Sequence, residues 1–275
     1  MPNLDLNALL PHTSSLAIFA AGFAAFMVGL WLLTPRDVRT VLRNAFSVCL
    51  ENVHIVVIIA VLTGGLGLFI TDSLATEAAK ALDMGGGKAE LITAFLIQSV
   101  LLCIWAVGVG SWAAPAQIYL WVQREKAQHS TLSGAINFGL NRMSRVRFPH
   151  AAAYGIIALG NIVVVPGIIF GLQYAFVDAI ATLDKAEKRP LARSERLASA
   201  RRGTIFRAML PFFFGWWLWY GLGLTFLLPV LTWWGKVALG TIDHMVLILV
   251  DLAMVQIYLD LFRKPKESSA SIPAG

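Results

Sequence analysis

Long apolar runs, separated by short basic segments, dominate the pattern along the chain. A helix that crosses a membrane needs about 20 mostly apolar residues, because each residue adds about 1.5 Å to its length. Several uninterrupted runs reach this length, and each predicts a transmembrane helix. These runs are Leu16–Leu33, Val53–Ile70, Leu91–Trp112, Ala208–Leu231 and Val237–Phe262.

A further apolar run, His150–Leu183, is too long for a single ordinary span and contains Pro166-Gly167. Proline removes a helical hydrogen bond and disfavours helix in the residue before it, while glycine allows the dihedral angles of a tight turn. The run predicts two short helices, Phe148–Val164 and Ile168–Leu183, folded as a hairpin at Pro166-Gly167. One long kinked helix is the alternative.

The basic residues test this count of helices, since the cytoplasmic loops of membrane proteins collect Lys and Arg. With the hairpin, the chain has seven spans, its N-terminus outside and its C-terminus in the cytoplasm. Only Lys80, Lys88 and Lys236 of the 22 basic residues then lie outside. A single kinked helix would place the two most basic segments on opposite sides of the membrane. The charges therefore favour the hairpin.

Three basic segments also carry apolar residues at helical spacing: Asp37–Leu50, Thr131–Arg147 and Leu191–Arg207. Each predicts an elbow helix, by which we mean an amphipathic helix in the plane of the lipid headgroups that precedes a pair of spans. The predicted fold is an all-α integral membrane protein of about seven transmembrane helices, with one leading helix and three units of elbow helix plus helical hairpin. Residues 1–15 form a short N-terminal segment, 16–263 a single membrane domain and 264–275 a disordered tail.

Composition agrees with this fold and excludes a soluble domain of this size. The chain is 57% hydrophobic and 14% charged, against roughly 45–50% and 25% in soluble domains. Its net charge of +6 is concentrated in the connecting segments, which indicates contact with anionic lipid headgroups and not with nucleic acid. Cys49 and Cys103 lie in or beside apolar stretches and are interpreted as packing residues.

Short motifs in the second half of the chain carry a family resemblance. They include Val165-Pro166-Gly167-Ile168-Ile169, Tyr174, Asp184, Arg193-Ser194 up to Gly203, and Tyr258-Leu259-Asp260-Leu261, together with Ala114-Pro115 and Leu132–Gly139. Over Val38–Pro265 the chain resembles the YciC-like family of uncharacterised bacterial polytopic membrane proteins, and it is similar to the membrane domain of some glycerophosphodiester phosphodiesterases. The resemblance implies six spans with elbow helices, in a bacterial inner membrane. It implies no reaction and no catalytic residue.

Ionisable residues inside apolar runs are candidates for function, because their burial in lipid is costly. Asp251 is the clearest case, with His244 seven residues before it and Tyr258 seven after it on one helical stripe. Such a stripe could relay protons or cations. Alternatively, Asp251 is protonated or hydrogen-bonded to a neighbouring helix, and His244 lies at the outer interface.

A second polar group surrounds the predicted hairpin and consists of Asn161, Gln173, Tyr174 and Asp178. Broken helices recur at the binding sites of transporters, where freed backbone groups meet the substrate. Hydrogen bonds that seal the turn between helices are the alternative.

The basic stretch that follows the hairpin is a candidate site for anionic lipid, although membrane orientation alone would also explain it. Its candidate contacts are Arg189, Arg193, Arg196, Arg201 and Arg202. The chain lacks the Gly-x-Ser-x-Gly, His-Glu-x-x-His and phosphate-loop motifs, and its five His are scattered. We therefore predict no catalytic residue, no metal and no cofactor.

These observations lead to two main hypotheses about function. The first is a non-enzymatic inner-membrane protein that scaffolds partners or organises lipid, with membrane lipids and other membrane proteins as its partners. The second is a transporter or permease component that uses a polar path near Asp251 and the Pro166-Gly167 hairpin. A water-accessible cavity that reaches Asp251 would favour the second. A third, an intramembrane enzyme acting on lipid, would need a converging polar set.

Overall fold

A computed structural model of the protein describes residues 34–82, 87–161, 165–199, 202–210 and 232–260. The described residues are almost entirely helical and include no strand. The predicted span Leu16–Leu33, most of Ala208–Leu231 and the C-terminal tail lie outside the described residues. The all-α prediction is thus confirmed for the part of the chain that the structure describes.

The first described helix, α1, is Arg36–Glu51 and corresponds to the first predicted elbow. Asn52 separates it from the following helix, with backbone angles of φ −121° and ψ 28° that interrupt the helix. The buried side of α1, which includes Val38 and Leu42, faces the hydrophobic core. The predicted break between this elbow and its first span is therefore present.

The second helix, α2, extends over Val53–Ala81 and contains a π-helical segment at Val61–Gly65. The apolar run predicted a span that ends at Ile70, but the helix continues from Thr71 to Ala81. Charged residues end the apolar run there, whereas the alanines of this stretch are strong helix formers and two of them, Ala75 and Ala79, are buried.

The third helix, α3, comprises Gly87–Trp105, a π-helical segment at Ala106–Gly110, and Ser111–Glu125. The fourth, α4, is Leu132–Asn161. The predicted separation of the second elbow from the span after it is wrong, since α4 continues through both. The reason is packing: the first half of α4 lies along the end of α3, with the Tyr119 and Phe138 rings 5.5 Å apart.

The predicted helical hairpin is formed by α4 and two short helices, α5 (Val165–Tyr174) and α6 (Val177–Leu183). Gly160 near the end of α4 lies so close to α5 that a Cβ atom there would be 2.9 Å from the Gly167 nitrogen. The chain therefore reverses direction, as predicted, but before the predicted position. Pro166 lies in the first turn of α5, where a helix needs no N–H donor from proline.

The remaining described helices are α7 (Pro190–Ser199), α8 (residues 202–210) and α9 (Trp233–Tyr258). The first two fall in the third predicted elbow, and α9 is the predicted last span. Among the described residues, four helices are long and apolar enough to cross a membrane: Val53–Ala81, Leu96–Glu125, Val165–Leu183 and Trp233–Tyr258. The protein is thus a helical membrane protein, while the count of about seven spans stays a prediction.

Side-chain contacts distinguish the two ends of the helix bundle. At one end, here called the basic end, Arg124 donates a hydrogen bond to the Asn44 carbonyl at 3.2 Å, and Arg145 donates one to the Asp184 carbonyl at 3.0 Å. The opposite end contains an ion pair between Lys236 and Asp72. The predicted cytoplasmic segments near Arg124 and Arg145 are thus grouped at one end of the structure.

A large cluster of buried apolar side chains lies at the basic end, where α1, the end of α3, α6 and the end of α9 meet. Phe176, Leu120, Ile180 and Leu252 are fully buried there. The indole of Trp121 donates a hydrogen bond to the Leu252 carbonyl at 2.8 Å. This core fixes the relative positions of the helices whose middle parts form the site described next.

Candidate functional site

A cavity of about 250 Å³ lies between α2, α3, α4 and α9. Most of its wall consists of Leu, Ala and Gly. The polar side chains that line it come from all four helices, and they are Thr63, Gln117, His150, Tyr154, Asp243, His244 and Asp251. The cavity thus combines an apolar wall with a small set of titratable groups, which is the usual composition of a small-molecule site.

Two π-helical segments form part of the cavity wall, Val61–Gly65 in α2 and Ala106–Gly110 in α3. π-helical turns inside α-helices are frequent at functional sites. The Trp105 indole joins the two helices here by donating a hydrogen bond of 2.7 Å to the Thr63 carbonyl. The irregular parts of α2 and α3 are therefore held side by side at the cavity.

Glycine allows α2 and α9 to approach closely on one side of the cavity. A Cβ atom on Gly240 would press on the Gly64 carbonyl oxygen and would lie 2.9 Å from the Leu68 Cβ. Only glycine fits this crossing without movement of a neighbour. The tight crossing lies next to His244, one turn further along α9.

Asp251 lies closer to the basic end of α9 than to its other end. Since it is 18 residues from Trp233 and seven from Tyr258 in α9, it lies about 27 Å from one end of the helix and about 10 Å from the other. His244 lies near the middle of α9 and lines the same cavity.

His150 connects the cavity to Asp178, a residue of α6. The Nδ1 atom of His150 lies 2.9 and 3.0 Å from the two carboxylate oxygens of Asp178. Its side chain is 3% exposed, whereas that of Asp178 is 23% exposed. The Tyr154 ring lies 4.2 Å from the His150 ring, and Asp251 is close enough to interact electrostatically with both His150 and Asp178.

Within the described residues, the buried atoms His150 Nε2 and Gln117 Oε1 of the cavity wall make no hydrogen bond of standard geometry. His150 also interacts with the Ala106 carbonyl. Its imidazole therefore lies between two groups that accept hydrogen bonds, the Asp178 carboxylate and this carbonyl. Buried polar atoms without partners are uncommon and are usually satisfied by water or a ligand.

The structure places the predicted polar residues in three different environments. Asp251 and His244 line the cavity, and Asp178 contacts it through His150. Tyr258 instead lies in the core at the basic end, with its ring 6.1 Å from that of Phe176. Gln173 contributes its backbone carbonyl, which accepts a hydrogen bond from the Ser194 hydroxyl at 2.8 Å. The side chain of Asn161 lies outside the described residues.

Of the arginines predicted to contact lipid, some are exposed and one is already paired with carboxylates of the protein. Arg193 forms ion pairs with Asp184 at 2.5 Å and with Glu187 at 3.3 Å. The backbone N–H of Arg189 donates to Glu187 at 2.8 Å, and this bond, assisted by Arg193, lowers the pKa of Glu187 below its usual value. The side chains of Arg196 and Arg202 are exposed, and Arg201 lies outside the described residues.

Sequence reasoning missed His150, Tyr154 and Asp243. The predicted register of the hairpin explains the first omission. A turn at Pro166-Gly167 would place His150 opposite Leu183, whereas in the structure His150 contacts Asp178. The four-residue spacing of His150 and Tyr154, which puts both on one face of α4, was the available signal.

Comparisons with known proteins find no match to this chain. No family model matches the sequence, and no curated protein or solved structure matches it either. Its function is therefore inferred from the cavity.

Proposed function

We propose that the protein is a transporter or permease component of the bacterial inner membrane that passes a small solute through the cavity between α2, α3, α4 and α9. The observation that carries this proposal is a cavity of about 250 Å³ in a membrane protein, with Asp251 and His150 in its wall. Ionisable side chains at membrane depth are costly, and in transporters they mark the path of ions or substrate.

The position of the cavity along the helices supports this role. In α2, Thr63 and Gly64 follow Val53 by 10 and 11 residues, or about 15 Å along a helix axis. This is roughly half of the hydrocarbon thickness of a bilayer. A site at that depth can open toward either side when the helices around it shift.

The π-helical segments supply a place where such a shift can occur. A π-helical turn accommodates one extra residue and can move along a helix at low cost, since its hydrogen bonds only change partners. Both segments contact the cavity, and the hydrogen bond from Trp105 to Thr63 links them. Movement of one helix would therefore change the shape of the cavity and the position of the other.

His150 and Asp178 offer a route for a proton between the cavity and the basic end. A proton that binds Nε2 from the cavity allows Nδ1 to pass its own proton to the Asp178 carboxylate, 2.9 Å away. Asp178 is partly exposed and can release that proton. This relay would couple solute movement to a proton gradient, with the basic end facing the cytoplasm.

Cysteine accessibility in sealed vesicles tests whether water reaches the cavity. In a Cys49→Ala, Cys103→Ala background, single cysteines replace Asp251 and Gln117 in the cavity wall. A third replaces Ile104, a neighbouring α3 residue that is exposed on the outside of the bundle. We expect a membrane-impermeant maleimide to label the two cavity positions and to leave position 104 unlabelled.

An exposed loop position, Gln128→Cys, controls for reagent access. If position 128 reacts while both cavity positions stay unlabelled from either side of the membrane, no water path exists and the transport proposal fails.

A second candidate function, the organisation of lipid, is favoured by α1. Its buried side faces the core, while Arg43, Phe46 and Leu50 are exposed on its other side. A helix with basic and apolar side chains on one face is suited to the headgroup layer. Replacement of Arg36 and Arg43 by Gln should then reduce the anionic lipid that purifies with the protein, while labelling of the cavity cysteines stays unchanged. Equal lipid content in the variant would remove this candidate.

A further inference from the structure

We infer that the ion pair between Asp72 and Lys236, here called the gate pair, closes the cavity on the side of the membrane opposite the basic end and breaks when the cavity opens there. The inference rests on the proposed transport function and specifies how one end of the cavity opens. It is carried by the position of the gate pair, by the different chemistry that closes the two ends, and by the glycines at which α2 and α9 cross.

The gate pair lies one helical turn beyond the cavity wall on both of the helices that it joins. Asp72 follows Leu68, a wall residue of α2, by four positions. Lys236 precedes Leu239, a wall residue of α9, by three positions. These separations are about 6 Å and about 4.5 Å along the helix axes. Ligand or water that reaches the cavity from this end along α2 and α9 must therefore pass the gate pair.

The depth of the gate pair places it at a boundary between lipid and water. Asp72 follows Val53, the first residue of α2, by 19 positions, which is about 29 Å along the helix and close to the thickness of the hydrocarbon layer. The side chains of Asp72 and Lys236 are 14% and 22% exposed. The two charges are thus partly shielded when paired, and water is near enough to solvate them when they separate.

The end of the cavity that faces the basic end is closed by apolar packing. Gln117, a wall residue of α3, is followed one turn later by Trp121, which is 7% exposed. The Trp121 indole donates a hydrogen bond of 2.8 Å to the carbonyl of Leu252, whose side chain is fully buried. Opening at this end would expose apolar side chains from several helices, whose burial stabilises the closed arrangement.

The opposite end is closed in a different way, because charge contributes most of the contact there. Next to the gate pair, the Phe69 and Trp233 rings join α2 to α9 with their centroids 6.1 Å apart. Trp233 is 48% exposed, so this ring contact borders the surface of the protein. Ion pairs in contact with water are weak, since water solvates the separated charges well. Of these two closures, the gate pair is therefore the one that separates at lower cost.

The crossing of α2 and α9 supplies a pivot for this separation. Gly64 and Gly240 meet there backbone to backbone, since a Cβ atom on either glycine would overlap the carbonyl oxygen of the other. Gly64 belongs to the π-helical segment Val61–Gly65, and helices bend at π-helical turns. The gate pair lies eight residues beyond Gly64 in α2 and four residues before Gly240 in α9. A rotation about the glycine contact therefore moves the two charges apart while the crossing stays closed.

Labelling of a cavity cysteine from each side of the membrane tests the gate. The reporter is Gln117→Cys in the Cys49→Ala, Cys103→Ala background, in sealed vesicles of both orientations and with a membrane-impermeant maleimide. We expect Asp72→Asn and Lys236→Met each to raise the labelling rate from the side opposite the basic end. The expected rise is roughly fivefold, which corresponds to the loss of an ion pair of about 1 kcal/mol. The rate from the basic end should not rise.

Two further variants separate loss of the gate from a general loosening of the protein. Glu77→Gln removes one charge of the exposed ion pair that Glu77 forms with Lys80 within α2, and it should leave labelling unchanged. The exchanged pair, Asp72→Lys with Lys236→Asp, restores opposite charges and should return the labelling rate toward that of wild type. A variant that is merely destabilised would not be rescued by this exchange, and denaturation by dodecyl sulfate shows whether each variant is folded.

Failure of the gate can be distinguished from failure of the transport proposal. If the reporter reacts from the basic end, but Asp72→Asn and Lys236→Met do not raise labelling from the opposite side, transport stands and the gate is overturned. An equal rise in Glu77→Gln, or no return toward wild type in the exchanged pair, would also overturn the gate. A reporter that reacts from neither side in any variant would remove both proposals.

Discussion

The middle of the helix bundle and its basic end are formed by the same long helices but are packed differently. At the basic end, large side chains such as Phe176 and Leu252 are fully buried. In the middle, the same helices present glycine, alanine and π-helical turns, and a cavity of about 250 Å³ remains. One end of the bundle can therefore supply stability while the middle keeps the space that a ligand needs.

Buried polar groups do not follow the same division. Ser194 in the core is fully buried and satisfied on both sides, since it accepts from the Phe176 N–H at 3.2 Å and donates to the Gln173 carbonyl. Within the described residues, Gln117 Oε1 in the cavity makes no hydrogen bond, and neither does Thr182 Oγ1 at the basic end. Such groups are costly inside a protein, so both regions carry this cost and differ mainly in their apolar packing.

Truncation of a core side chain should have the largest effect on stability. Phe176→Ala removes a fully buried ring and should lower the free energy of unfolding by about 3–5 kcal/mol. Leu247→Ala removes a side chain that already borders empty space and should cost about 2 kcal/mol, at the lower end of the range for such truncations. Denaturation by dodecyl sulfate in mixed micelles compares the two variants. Equal losses would mean that the middle of the bundle is as tightly packed as its end.

The close crossing of α2 and α9 is an exception to the loose packing of the middle of the bundle, because the two helices are in direct contact on this side of the cavity. Gly240→Ala forces a Cβ atom against the Gly64 carbonyl and should cost about 1–3 kcal/mol. Gly155→Ala, in α4, meets no atom within 4 Å and should stabilise the protein by about 0.5–1 kcal/mol. The same denaturation assay measures both. A neutral Gly240→Ala variant would show that the two helices separate easily.

Loss of the Ser194 hydroxyl should have an intermediate effect. Ser194→Ala leaves one buried N–H and one buried carbonyl without this partner, which should cost about 1–3 kcal/mol. Ser199→Ala is the matched control, because this exposed hydroxyl donates only to the Arg196 carbonyl at 2.7 Å. We expect the control to lie within about 0.5 kcal/mol of wild type. An equally small effect at Ser194 would show that its two buried hydrogen bonds do not stabilise the basic end.

The smallest effect concerns Glu187 on the surface of the basic end, and it depends on pH. Its pKa is lowered by the hydrogen bond from the Arg189 N–H and by Arg193. The carboxylate therefore stabilises the folded state above its ordinary pKa of about 4.3, and this contribution is lost as pH falls through the lowered value. Glu187→Gln should be slightly less stable than wild type at neutral pH and equal to it in strong acid. A difference that grows with acidity would have the wrong sign.

The last span illustrates what could be derived from the sequence and what could not. The apolar run Val237–Phe262 predicted α9, and the charged residue within it identified Asp251, because lipid imposes a simple length rule and a simple cost on charge. The seven-residue spacing from Asp251 also predicted that Tyr258 lies on the same polar face of this helix. In the structure Tyr258 lies in the core instead, because packing against α6 ends the cavity two turns before the end of α9.

Sequence alone determined the helical membrane class, the grouping of basic segments and the reversal of the chain after α4. These features depend on local length, charge and backbone chemistry. Only the tertiary structure decided that His150 meets Asp178 and faces a cavity shared with Asp251 and Gln117. That arrangement depends on the register of the hairpin and on the packing that brings distant residues such as Gln117 and Asp251 to one cavity. A shift of a few residues at one turn changes every partner across the hairpin, and no local pattern specifies that shift.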